Sequence, residues 1–231
     1  MTIAIVSDYV TVDNSAAEAS ITSGMLALSI GDVLTVELIA DDNANFGTPT
    51  ISNSGSALAW TNIATTNTNG NCKVAAWWAL LADNTDRTVT LNGSAAPSGT
   101  TRRLHCNVHT GAHQTNPVPI GNVFSGVGAT DVSQLITPTA AGSALHLAVG
   151  DWNATNTFAA GANCTLDAAF NDTGQMSSAL VRPTTQPRTD AAAFTISETD
   201  TGGTIAWIAF EVQAAAVADA PQMGRRIYIL P

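Results

Sequence analysis

This chain carries little charge: Asp, Glu, Lys and Arg make up 11% of its 231 residues, under half of the roughly 25% found in ordinary soluble domains. Lys73 is its only lysine, and eight basic residues face eighteen acidic ones for a net charge of −10. So little positive charge excludes the basic surface that non-specific nucleic-acid binding requires. Solubility has to come from Thr, Asn and Ser. Long apolar runs are missing too; none approaches the ~20 residues of a membrane-spanning helix, so no membrane partner is expected. Cysteine is limited to Cys72, Cys106 and Cys164. The number is odd, and each lies in step with an inward-pointing neighbour (Val74, Val108, Leu166). All three read as reduced thiols packed as small hydrophobes. Residues Met1 to Asp8 show neither the basic nor the extended apolar region of a secretory leader. The sequons at Asn92, Asn153, Asn163 and Asn171 therefore carry little weight, and synthesis in a reducing cytoplasm is the expectation.

Signatures of catalytic machinery are also missing. There is no Gly-x-Ser-x-Gly elbow, Walker loop or His-Glu-x-x-His helix. Glu occurs only at Glu18, Glu37, Glu198 and Glu211. Glu198 and Asp200 could pair for hydrolysis, but such carboxylates must face one another across a bond, and exposed acids on β-turns account for them. No enzyme activity and no cofactor are expected.

No window shows a helical period, whereas period-2 alternation recurs throughout. Val33 to Ile39 follows a Gly31-Asp32 turn. Cys72, Val74, Ala76, Trp78 and Leu80 share one strand face, and the turn Asp83 to Asp86 leads to Arg87-Thr88-Val89-Thr90-Leu91, which reads as the return arm of a hairpin. Leu104, Cys106 and Val108 alternate with His105, Asn107 and His109. Leu145, Leu147 and Val149 alternate around His146. Phe194 with Ile196, and Ala206, Ile208, Phe210 and Val212, form two further faces. Thr48 to Gly70 reads as strand-poor, Arg182 to Arg188 as an extended exposed loop, and no tandem repeat is visible. Ten or more short strands predict an all-β fold, an antiparallel two-sheet sandwich of jelly-roll type. Residues 1–213 would form the sandwich, with 1–30 as an N-terminal docking strand region. Residues 214–231 would be a hinge and an extended C-terminal arm.

Three clusters resemble sites. His105, His109 and His113 would line one helical face, yet in a strand His105 and His109 stand about 13 Å apart at ~3.3 Å per residue. That is too far for one metal ion, and surface or interface histidines are expected. Asp41-Asp42-Asn43-Ala44-Asn45-Phe46-Gly47 spaces its oxygens like a calcium loop but places Gly one position late and lacks the closing acid; it reads as an acidic turn. Trp77 and Trp207 sit opposite the more apolar faces of their strands, so with Trp152 they are candidates for stacking on a glycan or anchoring an interface. The last cluster is the C-terminal end. Arg225, Arg226, Ile227, Tyr228, Ile229 and Leu230 are basic and apolar on an otherwise acidic chain, a composition suited to adding a strand to a partner's sheet edge while the arginines pair with its acids.

The order of Gly31-Asp32 before an apolar strand, Ala75-Ala76-Trp77-Trp78-Ala79-Leu80, Thr110-Gly111-Ala112-His113-Gln114-Thr115-Asn116-Pro117 and Ala206-Trp207-Ile208-Ala209-Phe210-Glu211-Val212 resembles β-sandwich structural proteins of tailed-bacteriophage virions. The ending Met223-Gly224-Arg225-Arg226-Ile227-Tyr228-Ile229 is similar to the tails of such proteins. The resemblance implies a virion component, made in the host cytoplasm, that decorates and cements the head by binding the major capsid protein, another virion protein or copies of itself. It carries over no catalytic residue. The alternatives are a carbohydrate- or receptor-binding module on a tail or fibre and, third, a sandwich-fold hydrolase.

Overall fold

The computed structural model describes residues 2–12, 20–41, 48–68, 72–93, 102–128, 130–151, 157–171, 176–201 and 203–216. Among them the first eight strands are Ala4–Val12 (β1), Ser20–Thr22 (β2), Val33–Asp41 (β3), Thr50–Asn53 (β4), Thr61–Asn67 (β5), Cys72–Leu80 (β6), Val89–Asn92 (β7) and Arg102–Thr110 (β8). A 3-10 turn at Ile120–Asn122 leads into Val123–Gly128 (β9), Asp131–Ile136 (β10), Ala144–Asp151 (β11), Phe158–Ala160 (β12), Cys164–Asn171 (β13), Ser177–Pro183 (β14), Phe194–Asp200 (β15) and Ile205–Val212 (β16). No α-helix occurs among the described residues, as the missing 3.6-residue period predicts. All the strand pairs are antiparallel.

The sheets repeat one plan. The first half builds a five-stranded sheet, β1-β8-β3-β6-β5, and a three-stranded sheet, β2-β7-β4. The second half builds β9-β16-β11-β14-β13 and β10-β15-β12. Subtracting eight from each label in the second half reproduces the first. The duplication also shows in the turns that enter the equivalent strands β3 and β11. Each is preceded at the same offset by a glycine in the left-handed region, Gly31 at φ 84° and Gly142 at φ 90°, a conformation glycine adopts without a Cβ penalty.

Three apolar layers hold four sheets together. In the first half, Leu34, Val36 and Leu38 of β3, Trp77 of β6 and Leu104 of β8 pack against Ile21 of β2 and Leu91 of β7. In the second, Leu145, Leu147 and Val149 of β11 pack against Val132 of β10, Phe158 of β12 and Ile196 of β15. Between them the two five-stranded sheets lie face to face, with Ile39, Cys72, Val74 and Ala76 meeting Ala148, Leu180, Ile208 and Phe210. The central strands consequently have no solvent face, and all eight residues of β11 are buried. At Gly150 the sheets come so close that a Cβ would strike Ile39 and stand 2.8 Å from the Cys72 sulfur. Strand β11 packs on β3 and β6, β16 on β6 and β5, and β5 on β9. The halves correspond in topology, but the packing between them is one-sided: the sheets press together toward β5 and β9, not toward the equivalent edges β13 and β1.

Four expectations change. The Thr48 to Gly70 segment, expected to be strand-poor, supplies β4 and β5. Its Thr side chains suit a half-buried pleated surface, which its polarity conceals. Strand β6 and the Arg87 to Leu91 segment do not form a hairpin, because β7 belongs to the outer sheet. The turn between them instead carries the chain from one layer to the next, tied by an Arg87–Asp83 ion pair at 2.8 Å. The N-terminal segment, expected as a docking region, provides β1 and β2 of the chain's own sheets. Ala214 and Ala215, expected to open a hinge, are fixed: Ala214 is fully buried and bridges Ala112, and Ala215 N donates to Gly111 O at 2.9 Å. The last described residues are therefore held against the link between the halves.

Candidate functional site

Strand alternation decides which side chains enter the layer between the five-stranded sheets. Because Leu104, Cys106 and Val108 face the outer core, β8 turns Arg103, His105, Asn107 and His109 toward the other sheet. Thr35 and Glu37 join them from β3, His146 from β11, and Ser178 and Arg182 from β14. Apart from Arg182, these residues are buried. Asn107 Nδ2 donates to Glu37 Oε2 at 3.1 Å, and Thr35 Oγ1 lies 3.1 Å from His109 Nε2. His109 meets His146 edge-on at 5.0 Å between centroids, and His146 stacks on Phe210 at 5.1 Å. Arg103 lies over the Phe170 ring, and Arg182 pairs with Asp167 of β13.

Burial sets the protonation of this layer. Desolvation, aided by the Arg103 charge, lowers the His105 pKa to about 3. Desolvation and Arg182 take His109 to about 3 as well. His146 is held well below the usual imidazole range by desolvation, His109 and Arg182. All three rings are neutral at pH 7, and neither nitrogen of His105 has a hydrogen-bond partner among the described residues. The expectation of surface or interface histidines is thus corrected for His105 and His109, while His113 is half-buried. Polar alternation normally marks a solvent face, but here a second sheet covers it. The His105/His109/His113 series does not converge either, since His113 lies beyond β8 and accepts from Asn116 N at 3.1 Å. Among the described residues no group of three or more His, Cys, Asp or Glu is arranged to hold a metal ion.

One edge of the layer is open. Between Ile3 and Ile5 on the β1 side and Thr165, Asp167 and Arg182 on the other lies a cavity of about 260 Å³ that the loop residue Gln186 also lines. A second hollow, of about 390 Å³, adjoins it across Thr184 and ends at Arg188 and Phe194.

The acids expected on exposed turns are also elsewhere. Glu198 and Asp200 lie two apart on β15, both buried. Burial foremost, then the charge of Asp200 with those of Asp131 and Asp151, raises the Glu198 pKa to about 8, although Val132 N–H bonding opposes it. Glu198 therefore keeps its proton at neutral pH. It borders neither cavity.

The candidate aromatics separate. Trp77 is 6% exposed and sits in the first outer core, so it is neither a glycan platform nor an interface anchor. Trp207 is half-buried against the second outer core, and its ring covers Gly126, where a Cβ would stand 2.9 Å away. Trp152, Arg225, Arg226, Ile227, Tyr228, Ile229 and Leu230 lie outside the described residues, as do residues 42–47 of the acidic turn. Cys72 and Cys106 are buried free thiols and Cys164 is half-buried; burial foremost pushes the Cys106 thiol pKa up. No helix among the described residues is long and apolar enough to cross a membrane. Sequence reading missed Asp167, Arg182 and Gln186. Their one signal is the Arg182 to Arg188 segment, which reads as a loop but begins inside β14.

Compared with protein-family models the chain matches none, and no curated protein matches it. Function is therefore read from the molecule itself.

Proposed function

We propose that each half is a jelly-roll sandwich and that the protein is a non-enzymatic structural component of a tailed-phage virion, a decoration or cement protein of the head. Four-strand order 1-8-3-6 in one sheet and 2-7-4 in the other is that of a jelly roll whose fifth strand has moved to the neighbouring sheet's edge. The observation that carries the reading is this duplicated stack of cores, which buries His105, His109 and His146 together with Glu198, Asp200 and Trp77. Attachment then falls to the segment after Ala216. That segment follows Ala215, which is bonded to Gly111, and carries Arg225 and Arg226 against a net charge of −10. Ile227 to Leu230 would add apolar burial at about 25 cal/mol per Å², less the entropy of ordering the segment. A symmetric shell multiplies such contacts into avidity.

The test compares the intact chain with one ending at Ala220, each added to phage particles that lack the protein. The intact chain is expected to saturate the heads, and the shortened one to fold with the same melting temperature but fail to bind. Equal occupancy by the shortened chain, or absence of the protein from purified particles, would sink the proposal.

A further inference from the structure

By strand order, the β5 and β9 edges of the middle layer correspond to the β13 and β1 edges. Where β5 lies against β9 the sheets close. The equivalent place, between β1 and β13, holds the 260 Å³ cavity instead. Its lining differs from an ordinary packing gap, because apolar walls and convergent polar groups occur together. Ile3 and Ile5 form one wall and Pro183 and Pro187 another. Asp167 and Arg182 pair with each other, so the cavity presents both donors and acceptors with little net charge. Gln186 Oε1 is engaged by Leu145 N at 3.2 Å, which fixes the amide. Its Nε2 is buried behind the lining, without a partner among the described residues, so the accessible polar groups are the Asp167–Arg182 pair and the threonines. Thr165 and Thr184 add exposed hydroxyls.

We propose that this cavity binds a neutral saccharide, one sugar ring deep. A carboxylate or phosphate ligand would need a cation, and Arg182 is already matched by Asp167. A purely apolar ligand would leave the Asp167–Arg182 ion pair facing hydrocarbon, which buried polar groups oppose. A sugar ring satisfies both demands, offering hydroxyls that donate and accept at its rim and C–H faces toward Ile and Pro. The volume fits as well. It lies just below the roughly 300–1,000 Å³ of sites for drug-sized ligands, and the hollow across Thr184 gives a glycan room to continue toward Phe194. The inference does not depend on the virion reading, since a decoration protein can dock with or without a sugar.

The test uses the full-length chain, isotope-labelled and titrated in turn with glucose, galactose and N-acetylglucosamine, with acetate and glycine as ionic controls. At least one sugar is expected to shift the amides of Thr165, Arg182 and Gln186 with a Kd of about 1 mM. Thr165→Trp fills the cavity from an exposed position and should abolish those shifts; Thr184→Trp does the same from the other side. Thermal melts confirm that each variant folds. Three results would overturn the assignment: no shift with any sugar, acetate shifting the same amides more tightly than the sugars, or sugar shifts unchanged in both Trp variants.

Discussion

On the β5–β9 side of the middle layer the two sheets meet through Ile63, Ala64, Trp78 and Val123, all packed on the central core, and Thr66 Oγ1 donates to Gly126 O across the seam at 3.2 Å. On the β1–β13 side the same pair of sheets is separated by Asp167, Arg182 and a cavity, with His109 and Arg103 behind them. Topology treats these seams as equivalents; side-chain chemistry does not. A fold built twice needs only one kind of seam to hold together. The polar one keeps groups such as His105 without partners, at a cost of about 1–3 kcal/mol for each unsatisfied group. Costs of that kind concentrate where a protein does something besides fold.

The sharpest way to break the comparison is to force the two sheets apart where they come closest. Gly150→Val inserts a branched side chain where even a Cβ meets Ile39 and the Cys72 sulfur. Overpacking of a rigid sheet interface costs roughly 1–3 kcal/mol in ordinary cores and more where backbone must move. A loss of about 3 kcal/mol or more in urea unfolding is expected; a loss below about 1 kcal/mol would show that the sheets are not closely apposed there.

A pH series separates the polar seam from the second outer core, because their titrations have opposite signs. His105 and His109 have folded pKa values near 3, below the unfolded value of about 6.5. The neutral native rings contribute stability that is present above pH 6.5 and lost as pH falls toward 3. Each is worth at most about 1.4 kcal/mol per pH unit. His146, lowered in the same direction, adds to the loss. Glu198 behaves in reverse: its pKa rises from 4.5 to about 8, so its contribution is present below pH 4.5 and is lost as pH rises toward 8. Denaturant midpoints should therefore fall on both sides of a maximum. His105→Phe should flatten the acid limb alone, and Glu198→Gln should raise stability at pH 8 by about 1–3 kcal/mol with no gain at pH 4. A shared response of both limbs to either substitution would mean that the two regions are coupled rather than distinct.

Much of this was legible in the chain. Alternation located the strand faces, and Cys72, Val74 and Ala76 do share one core while Leu104, Cys106 and Val108 share another. Alternation also misled wherever a strand is covered twice. His105 and Trp77 look exposed because their positions alternate with the more apolar set, yet a second sheet or an outer sheet lies over them. Period 2 reports which residues share a face, not whether that face meets water. The duplication was hidden for a related reason. The equivalent strands Val33–Asp41 and Ala144–Asp151 keep their turn glycines and outward Leu and Val positions, but differ where Thr35 and Glu37 are replaced by His146 and Ala148. The cavity depends on residues from β1, β13 and the loop after β14, and no local pattern brings those together.

The smallest predicted effect concerns the closed seam. If apolar contact holds β5 against β9, the Thr66–Gly126 hydrogen bond across it should matter little. Thr66 is half-buried, so Thr66→Val removes the donor to Gly126 O while nearly preserving shape and strand propensity. Water can reach such a site and replace part of what is lost. A typical net hydrogen bond contributes about 0.5–1.5 kcal/mol, and the expected change here is at the lower end, about 0.5 kcal/mol, read as a small shift in urea midpoint with an unchanged slope. A loss above about 2 kcal/mol would mean that the closed seam, too, depends on a polar lock. The contrast between an apolar seam that binds the halves together and a polar seam left open would then have to be abandoned.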